Sequence, residues 1–371
     1  MNCRQQRIHG YLLGSLCLAG IRIRAHFHAI AWLTFIIMMG GCGSGGGGGD
    51  AIFNGGDPQI DVNDTVYVIT NDGPNGEIAA LDAFRLDDRN MPSPNGTDDD
   101  PADLAMDEEL GLLFVANSGD DTVTVYDAET LDVVRVILTG DRPVALTINQ
   151  DEHFLYVACQ GDDLLEKYEA DTGAFLDDEA TGAAPVDVLW YDFLNVVVVA
   201  CRDSNQVRVH ADDTLHILRQ TDTNANGGAA PMGLALDGGA GILFVACRDT
   251  DNVLLYDTAT LGFLNALPVG DQPEYVLADA ALNRLFVTNS GANTVSAFAL
   301  NTWLELPQSP MSTQGQRPGA LAVHVPGQLL YIVNRDSNNL TVLRTADLNE
   351  YGPSPYPVGD APMAALVPRE P

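Results

Sequence analysis

The chain has 371 residues, 46% hydrophobic and 7% aromatic, with 36 Gly and 20 Pro, which suits a turn-rich globular protein of one large all-β domain or two ordinary ones. Its 51 Asp and Glu face 18 Lys and Arg, and four of those cations (Arg4, Arg7, Arg22, Arg24) precede residue 41, where no carboxylate occurs; the remainder carries 14 minus 51, a formal −37. A body that anionic is repelled by nucleic acid and by anionic lipid, so neither is an expected partner.

Residues 1–28 are basic and free of acids, and residues 29–39, AIAWLTFIIMM, form an apolar stretch. It is too short to span a bilayer, which needs ~20 residues. Small residues Gly40 and Gly41 follow, then Cys42 and GSGGGGGD. A basic region, a short apolar region and small residues before a cleavage point describe a secretory signal. Met39-Gly40-Gly41-Cys42 also resembles the bacterial lipobox, although leucine is the usual residue at the place of Met39. The resemblance implies a lipoprotein-type signal peptide over 1–41, lipidation of Cys42, and a Gly-rich flexible tether over 42–60. Gly43, rather than Asp, implies sorting to the outer membrane, facing the periplasm or the cell surface. Ordinary signal cleavage beside an incidental Cys42 is the plainer alternative.

Seven apolar phrases then recur: VYVITN at 66–71, LFVAN at 113–117, LYVAC at 155–159, VVVAC at 197–201, LFVAC at 243–247, LFVTN at 285–289 and LYIVN at 330–334. Their last residues are spaced by 46, 42, 42, 46, 42 and 45. Pro101, Pro143, Pro185, Pro231, Pro273, Pro318 and Pro362 keep the same beat, each opening a short apolar stretch. Proline is tolerated at a strand's first residue because that position need not donate to the ladder. A third stretch, such as VLLYD at 253–257, and a weaker fourth, such as VVRVIL at 133–138, complete each unit. Four short strands per unit, joined by turns rich in Gly, Asp and Asn and repeated at this period, predict an all-β, seven-bladed β-propeller over 61–371. The first copy lacks a proline strand and the last is followed by an extra one, so the C-terminal strand is expected to pair into the first blade and close the ring.

The phrases LFVAN, LFVTN and LYIVN, followed by N-x-V-x-V-x-D-like stretches, resemble the YVTN-repeat β-propeller family over about residues 60–371. That family includes surface-layer-type proteins and shades into lactonase-type and redox-enzyme propellers. The resemblance implies the fold and little about chemistry.

Individual residues add restraint. Cys159, Cys201 and Cys247 occupy one repeat position, where other units carry Asn117, Asn289 and Asn334, and read as buried small thiols. His153, His210, His216 and His324 form no ligand pattern, and no haem-attachment, nucleophile-elbow or phosphate-loop motif occurs. Asp222-Thr-Asn-Ala-Asn-Gly matches half of a calcium loop, but Gly233 stands where its bidentate Glu belongs, so a plain turn is the stronger reading. No cofactor or metal is expected.

Arg202, Arg248 and Arg335 follow the Asn/Cys position, and Arg142 and Arg317 precede blade prolines. All five are expected on one face, at the channel mouth, as a seat for an anionic ligand. Pairing with the Asp beside each is the alternative. The expected function is a lipid-anchored, monomeric module of the cell envelope that binds an envelope protein or a small anion and touches membrane only through its anchor. The enzymatic alternative is a lactone hydrolase or a periplasmic redox propeller. Asp103 and Asp187, two residues into innermost strands, are its candidate acid/base groups.

Overall fold

The computed structural model describes residues 64–71, 76–85, 99–352 and 354–368 of the unit Gly56–Pro371. Cys42, the signal segment and the tether lie outside the described residues.

Seven antiparallel sheets form the blades. Blade two spans 101–138, three 143–180, four 185–222, five 231–268, six 273–312 and seven 318–357, each with its proline strand innermost. Blade one is built from Glu77–Asp82, Thr65–Thr70 and, as its innermost strand, Pro362–Leu366. The expected closure is therefore present: Tyr67, Val68 and Ile69 pair with Leu366, Ala365 and Ala364. Tyr331 of blade seven adds a second clasp by donating its hydroxyl to Ala83 O of blade one.

Burial grades outward as the patterning requires. Second strands such as Val196–Cys201 and Ile242–Cys247 are buried at every residue, whereas the outermost strand Phe175–Ala180 is almost wholly exposed. The core lies between blades: Tyr156, Ala158 and Leu165 of blade three pack on Val197, Val199 and Cys201 of blade four. Each fully buried valine contributes ~1.5–3 kcal/mol there.

Polar staples join the blades. Asp121, Asp163, Asn205, Asp251, Asn293 and Asn338, in the turns between second and third strands, take φ of 53–57°. Asp and Asn enter this left-handed region more readily than other side chains. Their side-chain oxygens accept the backbone N–H of Arg142, Ala184, Ala230, Gln272, Arg317 and Ala361 at 2.7–2.9 Å. Each acceptor thus holds the residue just before the next innermost strand, and so fixes how neighbouring blades meet around the axis.

Because neighbouring strands are antiparallel, two kinds of loop open on each face. Second-to-third turns and blade-to-blade connections form the upper face. First-to-second and third-to-fourth turns form the lower.

Candidate binding channel

The seven innermost strands enclose a cavity of about 750 Å³. Its walls include Leu104, Ala145, Val188, Leu234, Ala320 and Met363, and Trp190 lies toward the lower end. In blades two to seven the innermost strand slips register just after its proline. The bulge turns the following residues toward the axis. This places Asp103 and Asp187 on the channel, while Ala145 and Gly233 hold the matching positions in blades three and five.

Both aspartates also bridge blades. Asp103 Oδ2 accepts the Leu146 N–H at 2.8 Å, and Asp187 Oδ2 accepts the Leu234 N–H at 2.6 Å. These donors lie on the open inner edge of the next blade, so the carboxyls satisfy backbone groups that the sheet leaves unpaired. Both side chains border the void, yet the strands around them screen off bulk water. Burial raises the Asp103 pKa to about 7, against the lowering effect of its backbone hydrogen bonds and Arg335. Burial, with a smaller contribution from the charge of Asp103, raises Asp187 to about 8.

Arg335 reaches the same layer from the turn 335–337 of blade seven. Its Nη1 lies 3.2 Å from Glu274 Oε2 of blade six, and both side chains are largely buried. Gly319 makes the passage: a Cβ there would sit 2.6 Å from Arg335 Nε. Burial lowers the arginine's pKa, opposed chiefly by Glu274. Its Nε is buried with no partner among the described residues.

The other sequence-predicted arginines stand apart from the cavity wall. Arg202 Nε pairs with Asp203 at 2.7 Å, Arg248 Nε with Asp249 at 3.1 Å, and Arg317 Nη1 with Asp336 at 3.8 Å. Arg142 makes no ion pair with a described carboxylate. Of the five, Arg335 alone lines the cavity, and its partner is Glu274 rather than the adjacent Asp336, which Arg317 takes instead. Glu274 escaped the sequence reading, although its place directly after Pro273 was a usable signal. Glu108, Asp151 and Asp192 line the lower end.

The remaining candidates are scaffold. Cys159, Cys201 and Cys247 are free, buried thiols, and burial pushes Cys201 up to about 11 and Cys247 to about 12. Asp222 Oδ1 accepts the Asn224 N–H within a short turn. Among the described residues no three His, Cys, Asp or Glu side chains gather as a metal site would require.

A family model described as "Lactonase, 7-bladed beta-propeller" matches residues 61–190. No curated protein matches the sequence. Among solved structures, hydrazine synthase from Kuenenia stuttgartiensis is similar at 18% identity, covering 71% of this chain and 88% of its own, with a TM-score of 0.61. A functionally unknown protein from Desulfotomaculum acetoxidans DSM 771 is 16% identical over 80% of this chain and 98% of its own, with a TM-score of 0.62. The computationally designed Ika8 protein is 15% identical over 82% and 92%, with a TM-score of 0.59. At such identities the likeness shows the fold alone. The chain is a seven-bladed β-propeller, consistent with the lactonase-like propeller family.

Proposed function

We propose that the protein is a binding module of the cell envelope, lipid-anchored at Cys42 and sorted to the outer membrane, with its ligand seat in the central channel. The carrying observation is the chamber of about 750 Å³ in which Asp103, Asp187, Glu274 and Arg335 share a wall with apolar side chains such as Leu104, Val188 and Leu234. With pKa values of about 7 and 8, Asp187 keeps its proton at neutral pH and Asp103 keeps its own below it, so both offer O–H donors in mildly acidic solution. Arg335 keeps N–H groups beyond the one that Glu274 takes. A small carboxylate with hydroxyl groups fits such donors. Arg142, Arg202, Arg248 and Arg317 belong to the upper-face loops and favour the same sign of ligand, weakly where a carboxylate already pairs with them.

Titration calorimetry with gluconate tests the seat. Binding should weaken as pH rises through 7 to 8, because the ionised aspartates repel an anion, and Arg335→Met with Glu274→Gln should abolish it. Binding that ignores both changes overturns this assignment. Cys42→Ala should release the protein from membranes, and unchanged membrane association overturns the anchor.

A second reading, a lactone hydrolase, is favoured by the family match and by a channel carboxyl that titrates near neutrality. Ionised Asp103 would take the proton of a water attacking the ring carbonyl and return it to the ring oxygen as the acyl C–O bond breaks, leaving the hydroxy acid. Acid release from a γ-lactone in a pH-stat, lost in Asp103→Asn, supports that reading; no acid release excludes it for that substrate class.

A further inference from the structure

One position departs from the repeat close to the channel. The residue before the Asn/Cys position is alanine in blades two to five, where Ala116, Ala158, Ala200 and Ala246 pair with Asp103, Ala145, Asp187 and Gly233 of the innermost strands. Blade six carries Thr288 there, and blade seven Val333. In these two blades the paired register runs from Pro273–Asn289 directly to Val276–Val287, and from Pro318–Asn334 directly to Leu321–Ile332. The segments 274–275 and 319–320 thus leave their own ladders at the level where Arg335 reaches the cavity.

The Thr288 hydroxyl takes hold of both. It accepts the Tyr275 N–H at 3.0 Å and donates to Gly319 O of blade seven at 2.8 Å, the nearer of two carbonyls, since Tyr275 O lies at 3.4 Å. The side chain is fully buried and does not reach the cavity. A buried hydroxyl is unfavourable unless it is bonded, so its place here follows from these contacts.

Both supports of Arg335 belong to the segments so joined. Glu274, adjacent to Tyr275, accepts from Nη1 at 3.2 Å, and Nε lies 2.6 Å from where a Cβ on Gly319 would stand. Arg335 comes from blade seven and Glu274 from blade six, so the reach of the guanidinium depends on how the two innermost strands are spaced at this level. Asn293 already holds the backbone of Arg317, and Thr288 adds a second point of attachment two residues further along.

We propose that Thr288 is a positioning residue of the channel seat: its hydroxyl sets the spacing of the innermost strands of blades six and seven, and through Glu274 and Gly319 the point at which the Arg335 guanidinium meets the void. The consequence for affinity rests on the binding reading above; the effect on Arg335 does not. Recognition of a carboxylate needs the guanidinium N–H groups at a fixed place, and a side chain behind the wall supplies that fixity.

Nitrogen-15 NMR of the arginine Nε–H groups provides the test, on the chain from residue 42 onward, with the Arg335 signal identified by its loss in Arg335→Met. Thr288→Val keeps the shape without the hydroxyl, and Val333 shows that the fold accepts valine at this position. Thr288→Ala, the residue of four other blades, is the second variant. Both should speed exchange of the Arg335 Nε proton with water by about 5-fold or more. Both should also weaken gluconate binding about 10-fold. Thr288→Ser keeps the hydroxyl and should behave as the wild type in each measurement. Ser290→Ala removes the bond from the Ser290 hydroxyl to Gln272 O, 2.9 Å long, in the same blade; it should lower the melting temperature without moving the Arg335 signal. Arg335 exchange that stays unchanged in both Thr288 variants overturns the proposal and leaves Thr288 a plain tie between blades, as does a serine variant that exchanges like the valine one. If gluconate fails to bind the wild type while exchange responds as stated, the seat falls and the positioning of Arg335 stands.

Discussion

Two repeat positions vary from blade to blade, with opposite consequences. One is the Asn/Cys position that ends each second strand; the other is the channel position two residues after the proline. At the first, Asn117, Asn289 and Asn334 donate from Nδ2 to Thr124, Ser296 and Thr341 at 2.9–3.0 Å. Seven residues beyond the cysteines stand Glu166, Arg208 and Leu254 instead. The nearby glycine N–H is still captured: by Asn289 Oδ1 in blade six, Cys201 Sγ in blade four and Glu166 Oε2 in blade three. Neighbours change together and the blade persists. At the channel position, Asp103 and Asp187 alternate with Ala145 and Gly233, and what changes is the charge offered to a void. Variation that faces protein is absorbed by packing; variation that faces space becomes chemistry.

The largest expected effect breaks the channel side of this contrast. Asp187 has a folded pKa of about 8 against 3.8 for an ordinary aspartate in water. Between those values the folded state holds a proton that the unfolded chain has released, so stability falls as pH rises, by up to ~1.4 kcal/mol per unit. Below and above that window this group adds no slope. His153, raised mainly by its hydrogen bond to Asp107, also loses stability as pH rises through its folded pKa. Comparing the wild type with Asp187→Asn by urea unfolding from pH 4 to 8 isolates the aspartate: the variant should be the more stable at pH 8, and parallel curves would refute its buried protonation.

On the scaffold side, glycine should matter according to how near its partner lies. A Cβ at Gly315 would meet Asn334 Cγ at 2.3 Å, whereas one at Gly140 meets nothing closer than Asp162 Oδ2 at 3.0 Å. Gly315→Ala should cost ~1–3 kcal/mol and Gly140→Ala clearly less. Equal losses would mean that close packing is not what the glycines provide. Cys247→Asn places an amide against Leu254 and should cost ~1–3 kcal/mol. Adding Leu254→Thr should return ~1 kcal/mol, measured as the coupling in a double-mutant cycle. Smallest is Asn289→Cys, which deprives Thr294 and Ser296 of a donor they can partly replace, at about 1 kcal/mol in the same assay.

Blade number and ring closure were legible because period and proline placement are local, repeated signals. The extra strand at Pro362 had one place to go. Asp103 and Asp187 were legible by the same proline register, but their protonation was not, since it depends on enclosure by strands far apart in sequence. The partner of Arg335 was also hidden: Asp336 is adjacent, whereas Glu274 lies 61 residues away and is reached over Gly319. The six Asp and Asn staples read as ordinary turn formers. Nothing in a single turn shows that its side chain holds the neighbouring blade.

The pairing of Pro362–Leu366 with Thr65–Thr70 also sets a clock on biosynthesis. Blades two to seven are encoded between those two segments, so blade one cannot be completed until residues 362–366 leave the ribosome. Until then the ring stays open and the strand Thr65–Thr70 lacks its inner neighbour. A chain built this way keeps its ring open for almost the whole of its synthesis, and closes it only after the last strand has emerged.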